Sequence, residues 1–430
     1  MIVDFSVKNF RSFKDKAILS AEAGERLRKY NETNTEVIDG KRLLKSVFLF
    51  GPNGAGKSNL LRGLNLMKKM VLNDPPKVTT KLPYDSFAFG SDDQQNPTEF
   101  EINFTYEGNT YNYFFSYTEN EIIDESLYIY HKEKKVPYFK RHKSEYSEIP
   151  DSLKMVSEQT KKNSLLLYNA QKVNDINSSN VIEWFNNNLI FFNDFTENLD
   201  DKVKQLINEP LIKQALIKFL KFADINIEDF ATQETQLPKM PENLKKLVEE
   251  LGIKPEEKMV TTDIMTEHKR YNDEGRVISR KFLNINNESA GTRKLFLIGL
   301  MLAYAKKFGD NKVLIFDEFE ASLHCELSVA LVKILNSKHN NSQVISTTHE
   351  LKILDSGLRT DQIYFVEKDF RGISNIKSIF DFKDSKGHGR VDITYIKRYI
   401  AGMYGAYPHI NVHEMNDALN DINKSDNVED

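Results

Sequence analysis

Cysteine is almost missing from this chain. Cys325 is the only one among 430 residues, which excludes an internal disulfide and a CxxC zinc site and makes a reducing cytoplasm the expected compartment. No apolar run reaches membrane-spanning length, and the opening MIVDFSVKNFRSF lacks the layout of a signal peptide. Nor is there a surplus of positive charge. The formal net charge is −4, which argues against a broadly basic nucleic-acid coat and leaves room only for local basic patches. Heptads never run unbroken for long, so a coiled-coil arm is not expected. No internal repeat is visible. What is there, 40% hydrophobic and 28% charged residues, is the composition of a soluble globular protein. The length allows about two or three cores, or one domain carrying a large insertion.

The N-terminal MIVDFSVKNFRSF alternates like a strand, and RLLKSVFLF (Arg42 to Phe50) is a short apolar run of buried-strand type. It runs into GPNGAGKS, after which NLLRGLNLMKKMVL has helical spacing. From Thr98 to about Lys140 the pattern is two-fold, broken at EGN and EN, which predicts a meander of antiparallel strands. Composition shifts near Pro150. Residues 151–255 read as a mainly helical insertion, with SSNVIEWFNNNLIFF and EPLIKQALIKFLKFADINIEDF its clearest amphipathic pieces. Two strands around YNDEGRV follow, then NESAGTRKLF opening an apolar helix, then the strand-like runs NKVLIFDEFEASLH, SQVISTTHE and DQIYFVEKD. The polar, acidic ending NDALNDINKSDNVED is expected to be disordered. The expected organisation is a discontinuous α/β head over 1–150 and 256–400, the insertion between them, and a C-terminal motif with a disordered acidic tail over 401–430.

Gly51, Gly56, Lys57 and Ser58 satisfy G-x-x-x-x-G-K-[ST], with a strand before and a helix after, the surroundings that a phosphate loop needs. Its glycines let backbone N–H groups point inward at a phosphate. Lys57 brings a charge to the β- and γ-phosphates, and the Ser58 hydroxyl suits Mg²⁺. Asn53, Gly54 and Asn59 belong to the same stretch and are expected to line the nucleotide. ATP and Mg²⁺ are thus the expected ligands. A metal-side acid belongs at the end of a neighbouring strand, and VLIFDE supplies it. Asp317 is expected in the Mg²⁺ shell, and Glu318 is expected to orient and polarise the attacking water. His349, closing QVISTTH, sits where a γ-phosphate sensor would be. Catalysis is assigned to Glu318, His349 and Lys57.

Taken in order, NFRSF, GPNGAGKSNLL, ESAGTRK, LIFDEFEASLH and STTH resemble the ABC-type ATPase heads of SMC, RecF and OLD-like proteins, over about 1–65 and 280–365. The resemblance implies a P-loop ABC-type head of α/β class, a mixed sheet with flanking helices and an antiparallel β meander, interrupted by the mainly helical insertion. It places Arg11 near the nucleotide base and phosphates, ESAGTRK at the ABC signature, Glu320 to His324 at the D-loop, and His349 at the switch histidine. The signature reads S-A-G rather than S-G-G. Gln94 and Gln95 are the nearby candidates for a Q-loop glutamine, with a plain surface loop as the competing reading. In such a head the signature lies far from its own phosphate loop. Ser289 and Gly291 are therefore expected to cap the γ-phosphate of ATP held by a second subunit, giving a homodimer or higher assembly with composite sites.

The helical insert in place of a coiled coil is similar to that of ATPases from bacterial anti-phage systems, of the AbiL abortive-infection and PARIS AriA types. So is the tail YIKRYIAGMYGAYPHI, with Gly402, Gly405, Ala406 and Pro408 in register with YL-x-G-x-(F/Y)-G-A-x-P. Those ATPases are paired with a separately encoded TOPRIM-type or RloB-like effector. The resemblance thus implies a sensor or regulator of a nuclease or toxin, triggered by nucleic acid or a phage protein and away from membranes. A RecF/SMC-like repair ATPase that binds DNA directly is the competing reading. After IYFVEKD only about sixty residues remain, with no D-x-D, too few for a TOPRIM domain in this chain. Glu367 and Asp369 read as the end of a sheet strand, and Arg398 and His409 stand too far apart for a HEPN pair. KEKKVPYFKRHK (Lys132 to Lys143) reads as a solvated strand edge, with Tyr138 and Phe139 packed rather than stacked on bases.

Overall fold

A computed structural model describes residues 1–90, 96–131, 134–192, 201–236, 260–309, 311–382, 394–407 and 411–425. β1 (Ile2–Lys8) pairs antiparallel with β2 (Ala17–Ser20). The run Arg42 to Phe50 is not one strand. β3 (Thr35–Ile38) and β4 (Lys41–Leu44) make a hairpin, and after Lys45 the chain enters β5 (Ser46–Phe50) in another sheet. Lys45 marks the break: its buried ammonium is held by the Ser337 carbonyl at 3.0 Å and by Glu36 at 3.2 Å. β5 leads through the glycine-rich loop into α1 (Lys57–Leu72).

The predicted meander is present as β6 (Thr98–Tyr106), β7 (Asn109–Tyr117), β8 (Ile122–His131), β9 (Lys134–His142) and the short β10 (Glu145–Glu148). With β1 and β2 they form a seven-stranded antiparallel sheet ordered β10-β9-β8-β7-β6-β1-β2. In the basic stretch at Lys132 to Lys143, Lys134 to Phe139 pair with β8 alone and form an open sheet edge, and only Lys140 to His142 are covered by β10. Phe139 is fully buried, Tyr138 donates to Asp175 at 2.5 Å, and Lys135 and Lys140 both lie over the Tyr128 ring.

The stretch 151–255, described over 151–192 and 201–236, is mainly helical but also supplies two strands. It opens with short helices and α2 (Ile176–Asn187), but then contributes β11 (Leu189–Phe192), and after α3 (Pro210–Phe222) it contributes β12 (Asp229–Gln236). β12 joins β13 (Val260–Tyr271) and β14 (Val277–Asn284) in a three-stranded sheet. There follow α4 (Ala290–Lys307), β15 (Val313–Phe316), α5 (Cys325–Leu335), β16 (Gln343–Thr347), β17 (Ile363–Lys368) and β18 (Ser374–Ser378). The central sheet is ordered β11-β15-β16-β5-β17-β18, parallel except for β18. β11 is short and apolar, which hides a strand among helices, and it pairs with β15 along its whole length.

β5 is buried at all five positions, as a central parallel strand must be. Val47 and Leu49 face one core, with α1, the antiparallel sheet and Trp184 of α2. Phe48 and Phe50 face another, with α3, α4 and α5. The buried Gln343 fastens the two sheets: its amide donates to the Ile2 and Leu44 carbonyls, and its oxygen accepts the Ile2 N–H. Glu125 and Arg141, both with fully buried side chains, form a second fastening. Glu125 accepts from Arg141, from Tyr113 and from the N–H groups of Leu166 and Leu167, and so ties the start of the inserted stretch to the meander. The C-terminal end differs from the expected disorder. α6 (Val412–Ser425) is a helix, because Val412, Met415 and Leu419 recur at helical spacing, although all three are exposed. Among the described residues no helix is long and apolar enough to cross a membrane.

Candidate functional site

The glycine-rich loop leaves the C-terminal end of β5, between β16 and β17, where a parallel sheet presents its ligands. Gly51 and Gly56 take φ of 148° and 112°. A Cβ on Gly51 would lie 2.2 Å from the Val366 carbonyl, and one on Gly56 would lie 2.4 Å from Ser374 Oγ and 2.8 Å from Ser12 Oγ. Only glycine fits there. Asn53 and Gly54 are exposed at the tip. Lys57 folds back over the loop, donating to the carbonyls of Gly51 at 2.8 Å and Pro52 at 3.0 Å. Burial lowers its pKa to about 8, against the opposing pull of Asp317, Glu320 and Glu318.

Ser58, first turn of α1, donates through Oγ to Asp317 Oδ1 at 3.0 Å. Asp317 follows directly on β15, and the same oxygen accepts the Thr347 hydroxyl at 2.6 Å. Thr347 Oγ also accepts the Glu318 N–H at 2.7 Å. Glu318 itself is exposed, with a left-handed φ of 52° that turns its side chain off the strand line. His349 lies two residues beyond β16, and its N–H donates to Glu320 Oε1 at 2.5 Å. Burial, and then the Lys57 ammonium, hold the His349 imidazole below the ordinary histidine range. Lys57, Ser58, Asp317, Glu318 and His349 are thus brought together. Glu320 opens the stretch that the resemblance places at the D-loop, whereas Thr347 is not singled out in the sequence, where the doubled threonine before His349 is the one available signal. An open cleft of about 360 Å³ runs beside the acids, lined by Ser58, Arg62, Asn65, Phe192, Asp317 and Glu318. Ser58 and Asp317 give two hard oxygen donors on one side of the loop, a set that fits Mg²⁺.

Arg11 has a left-handed φ of 52°, and its guanidinium is held by Asp85 at 2.8 Å. The neighbour Ser12 makes the contact with the loop: it accepts from Asn59 Nδ2 at 2.9 Å and packs on Gly56. Asn59 thus braces the NFRS turn. Ser289 is the N-cap of α4, and its Oγ accepts the Thr292 N–H at 3.1 Å. Ala290 is the first helical residue of α4. Gly291 is required within its own chain, since a Cβ there would lie 2.6 Å from the Ser322 carbonyl. Lys294 donates to the Glu318 carbonyl at 3.1 Å. The described hydrogen bonds of Ser289 are local, and none reaches the loop at 51–59. Gln94, Gln95, Pro408 and His409 lie outside the described residues.

Glu367 and Asp369 are occupied in the sheet end: Glu367 pairs with Lys377, and Asp369 with Arg371. The motif at 394–407 packs on the outer side of β17, with Tyr399 and Tyr404 stacked on Phe365 at 5.1 Å. Gly405 is pressed on Glu367, and Gly402 and Ala406 line a groove with Pro52 of the loop.

Two solved structures are similar to most of the chain. One is the SMC head domain from Thermotoga maritima, at 14% identity and a TM-score of 0.38, covering 88% of this chain and 98% of that one. The other is an SMC head bound to the C-winged helix domain of ScpA, at 13% identity and a TM-score of 0.38, covering 88% and 97%. No curated protein matches the sequence. Residues 46–355, from the start of β5 to beyond His349, match the family described as "AAA domain, putative AbiEii toxin, Type IV TA system". With the loop, both acids and the histidine inside the matched span, the chain belongs to this AAA-domain family.

Proposed function

We propose that the chain binds ATP at residues 51–59, hydrolyses it, and uses the cycle to control a separate effector, a nuclease or toxin, in bacterial anti-phage defence. The observation that carries the catalytic part is Asp317 Oδ1, on which the hydroxyls of Ser58 and Thr347 converge while the next residue, Glu318, is turned outward. Lys57 and the loop N–H groups hold the β- and γ-phosphates, with Asn53 and Gly54 at the open tip and Arg11 toward the base. Ser58 and Asp317 would hold Mg²⁺, which when bound neutralises phosphate charge and orients the transferring group. Glu318 takes the proton of the attacking water, and His349 faces the γ-phosphate as a neutral donor. The head would comprise 1–150 and 256–400, with β11 of the inserted stretch completing its central sheet. The family description names a putative toxin of a toxin–antitoxin system, which supports a place in toxin-based defence, and the groove between the 394–407 motif and the loop is where an effector would dock.

Dimerisation is part of the proposal. Ser289 and Gly291 stand at the N-terminus of an 18-residue helix, and the described hydrogen bonds of Ser289 stay within that turn, so the two residues would meet ATP held by a second copy. Ser289→Arg should leave ATP affinity within about twofold and lower turnover at least roughly a hundredfold, as expected for loss of a phosphate-stabilising donor. Equilibrium binding and phosphate release measure the two. Loss of binding would make the stretch only a fold-stabilising cap. Turnover raised by DNA and falling with salt would favour direct DNA binding over control of an effector.

A pH effect follows from Lys57. Its folded pKa of about 8 lies below the ordinary 10.5. Across that window the unfolded chain holds a proton that the folded one has lost, so the nucleotide-free protein gains stability as pH rises through it. A triphosphate beside Nζ restores the charge, and ATP binding at about pH 9 should therefore take up a proton. Calorimetry in buffers of differing ionisation enthalpy reads this uptake. Equal heats in all buffers would exclude it, and Lys57→Met should abolish it.

A further inference from the structure

We infer that the outer face of the antiparallel sheet holds a second ligand site, built for a guanine nucleotide. The site stands on its own residues and does not depend on the ATP reading above. The inner face of this sheet carries Phe100, Ile102, Tyr113, Phe115, Leu127 and Phe139 into the core shared with α1. Side chains alternate along a strand, so the residues between them face the other way. Among those residues lies a cleft of about 620 Å³, within the size range of small-ligand sites.

Strand register sets four lining residues of the cleft in one row. Glu101 of β6 stands opposite Phe114 of β7, Phe114 opposite Ser126 of β8, and Ser126 opposite Lys140 of β9. Directly opposed residues share a face, and the row spans three strand spacings, about 14 Å. Along it the chemistry runs carboxylate, aromatic ring, hydroxyl, ammonium.

The acid end offers acceptors. Glu101 is fixed by Lys16 on Oε2 at 2.7 Å and by Asn112 Nδ2 on Oε1 at 2.9 Å, and each oxygen keeps a lone pair. Asn112 also lines the cleft; it is 1% exposed, and its Oδ1 has no hydrogen-bond partner among the described residues. A buried acceptor left without a donor is costly, and a ligand N–H removes that cost. The opposite end is cationic. Lys135 and Lys140 lie over the Tyr128 ring at 4.3 and 5.4 Å, and neither pairs with a carboxylate among the described residues. In the adjacent row Asp124 accepts from His142 Nδ1 at 2.7 Å and from Ser116 Oγ at 2.9 Å, which steadies the imidazole. Arg141 in the cleft wall is already committed to Glu125.

This order matches a nucleotide laid across the strands. The base edge meets Glu101 and Asn112, the base face meets the half-buried Phe114, the ribose lies over Ser126, and the phosphate reaches the two lysines. An edge that meets only acceptors must donate. Guanine brings N1–H and the N2 amino group side by side, whereas adenine brings a single amino group, so guanine is favoured.

The test is calorimetry on the full chain with GMP, AMP, guanosine and a single-stranded RNA of about eight nucleotides carrying one guanosine among uridines. GMP should bind roughly tenfold tighter than AMP or better, and excess Mg-ATP should not displace it. Lys135→Ala with Lys140→Ala should weaken GMP roughly tenfold or more, and should leave guanosine, which has no phosphate, within about twofold. The matching pair of arginine substitutions should bind GMP as the wild type does. A wild-type chain that fails to bind GMP, binds AMP equally well or releases GMP to ATP would overturn the site. So would an alanine pair that keeps full GMP affinity. RNA binding roughly tenfold tighter than GMP makes the strand the ligand, and no gain makes it the free nucleotide. A chain that binds GMP in this way but no ATP would overturn the reading of the loop and keep this site.

Discussion

Glu318→Gln is expected to lower ATP turnover by roughly 10²–10⁴-fold, the usual contribution of a positioned general base, while ATP binding persists. The geometry makes this substitution clean. Glu318 is exposed, its left-handed backbone is held through its own N–H by Thr347, and its carbonyl is held by Lys294, so glutamine keeps every backbone contact. With the base gone and the signature helix still in place, the ATP-bound pair should outlive that of the wild type. Light scattering with Mg-ATP should then show a doubled mass for Glu318→Gln and a single mass for Lys57→Ala. The same mass for wild type and both variants would exclude the ATP-held dimer, and undiminished phosphate release would remove Glu318 from its role.

The second large effect concerns the fold. Arg141→Met should destabilise the protein by about 3–5 kcal/mol, because it leaves the Glu125 carboxylate buried with no counter-charge. Tyr113 and the N–H groups of Leu166 and Leu167 would still donate to it, but the Arg141 hydrogen bonds to Glu125 and to the Ser164 carbonyl would be lost. Glu125→Gln in the same chain should recover part of the loss by removing the charge. Urea unfolding followed by tryptophan fluorescence is suited to this, since Trp184 is the only tryptophan and lies buried against Phe104 of the same core. Equal midpoints for wild type and Arg141→Met would show that the pair is dispensable.

Much of the candidate site's arrangement was legible because its elements are local. Gly51 to Ser58 is one loop, the two acids follow one apolar strand, and the meander announces itself by a period of two. What escaped depends on contacts distant in sequence. Thr347 matters through an oxygen 30 residues away, and Ser12 through Gly56 and Asn59. β11 is a four-residue run that cannot be told from a helix fragment by periodicity, and only pairing with β15 makes it a strand. The break at Lys45 was hidden for a similar reason, since a lysine inside an apolar run reads as an interruption of charge rather than a change of sheet. α6 was misread from composition, although Val412, Met415 and Leu419 carried the helical period.

β11 also decides where the protein can be taken apart. A cut at Pro150 would strip Trp184 from the first core and leave β15 as a bare edge, with Asp317 and Glu318 at its end. Anyone exchanging the inserted segment for one from another ATPase should keep the chain through Phe192 and splice beyond it. A graft that respects this seam preserves the sheet beneath the acids, whereas one placed at the shift in composition removes a stave from the wall that holds them.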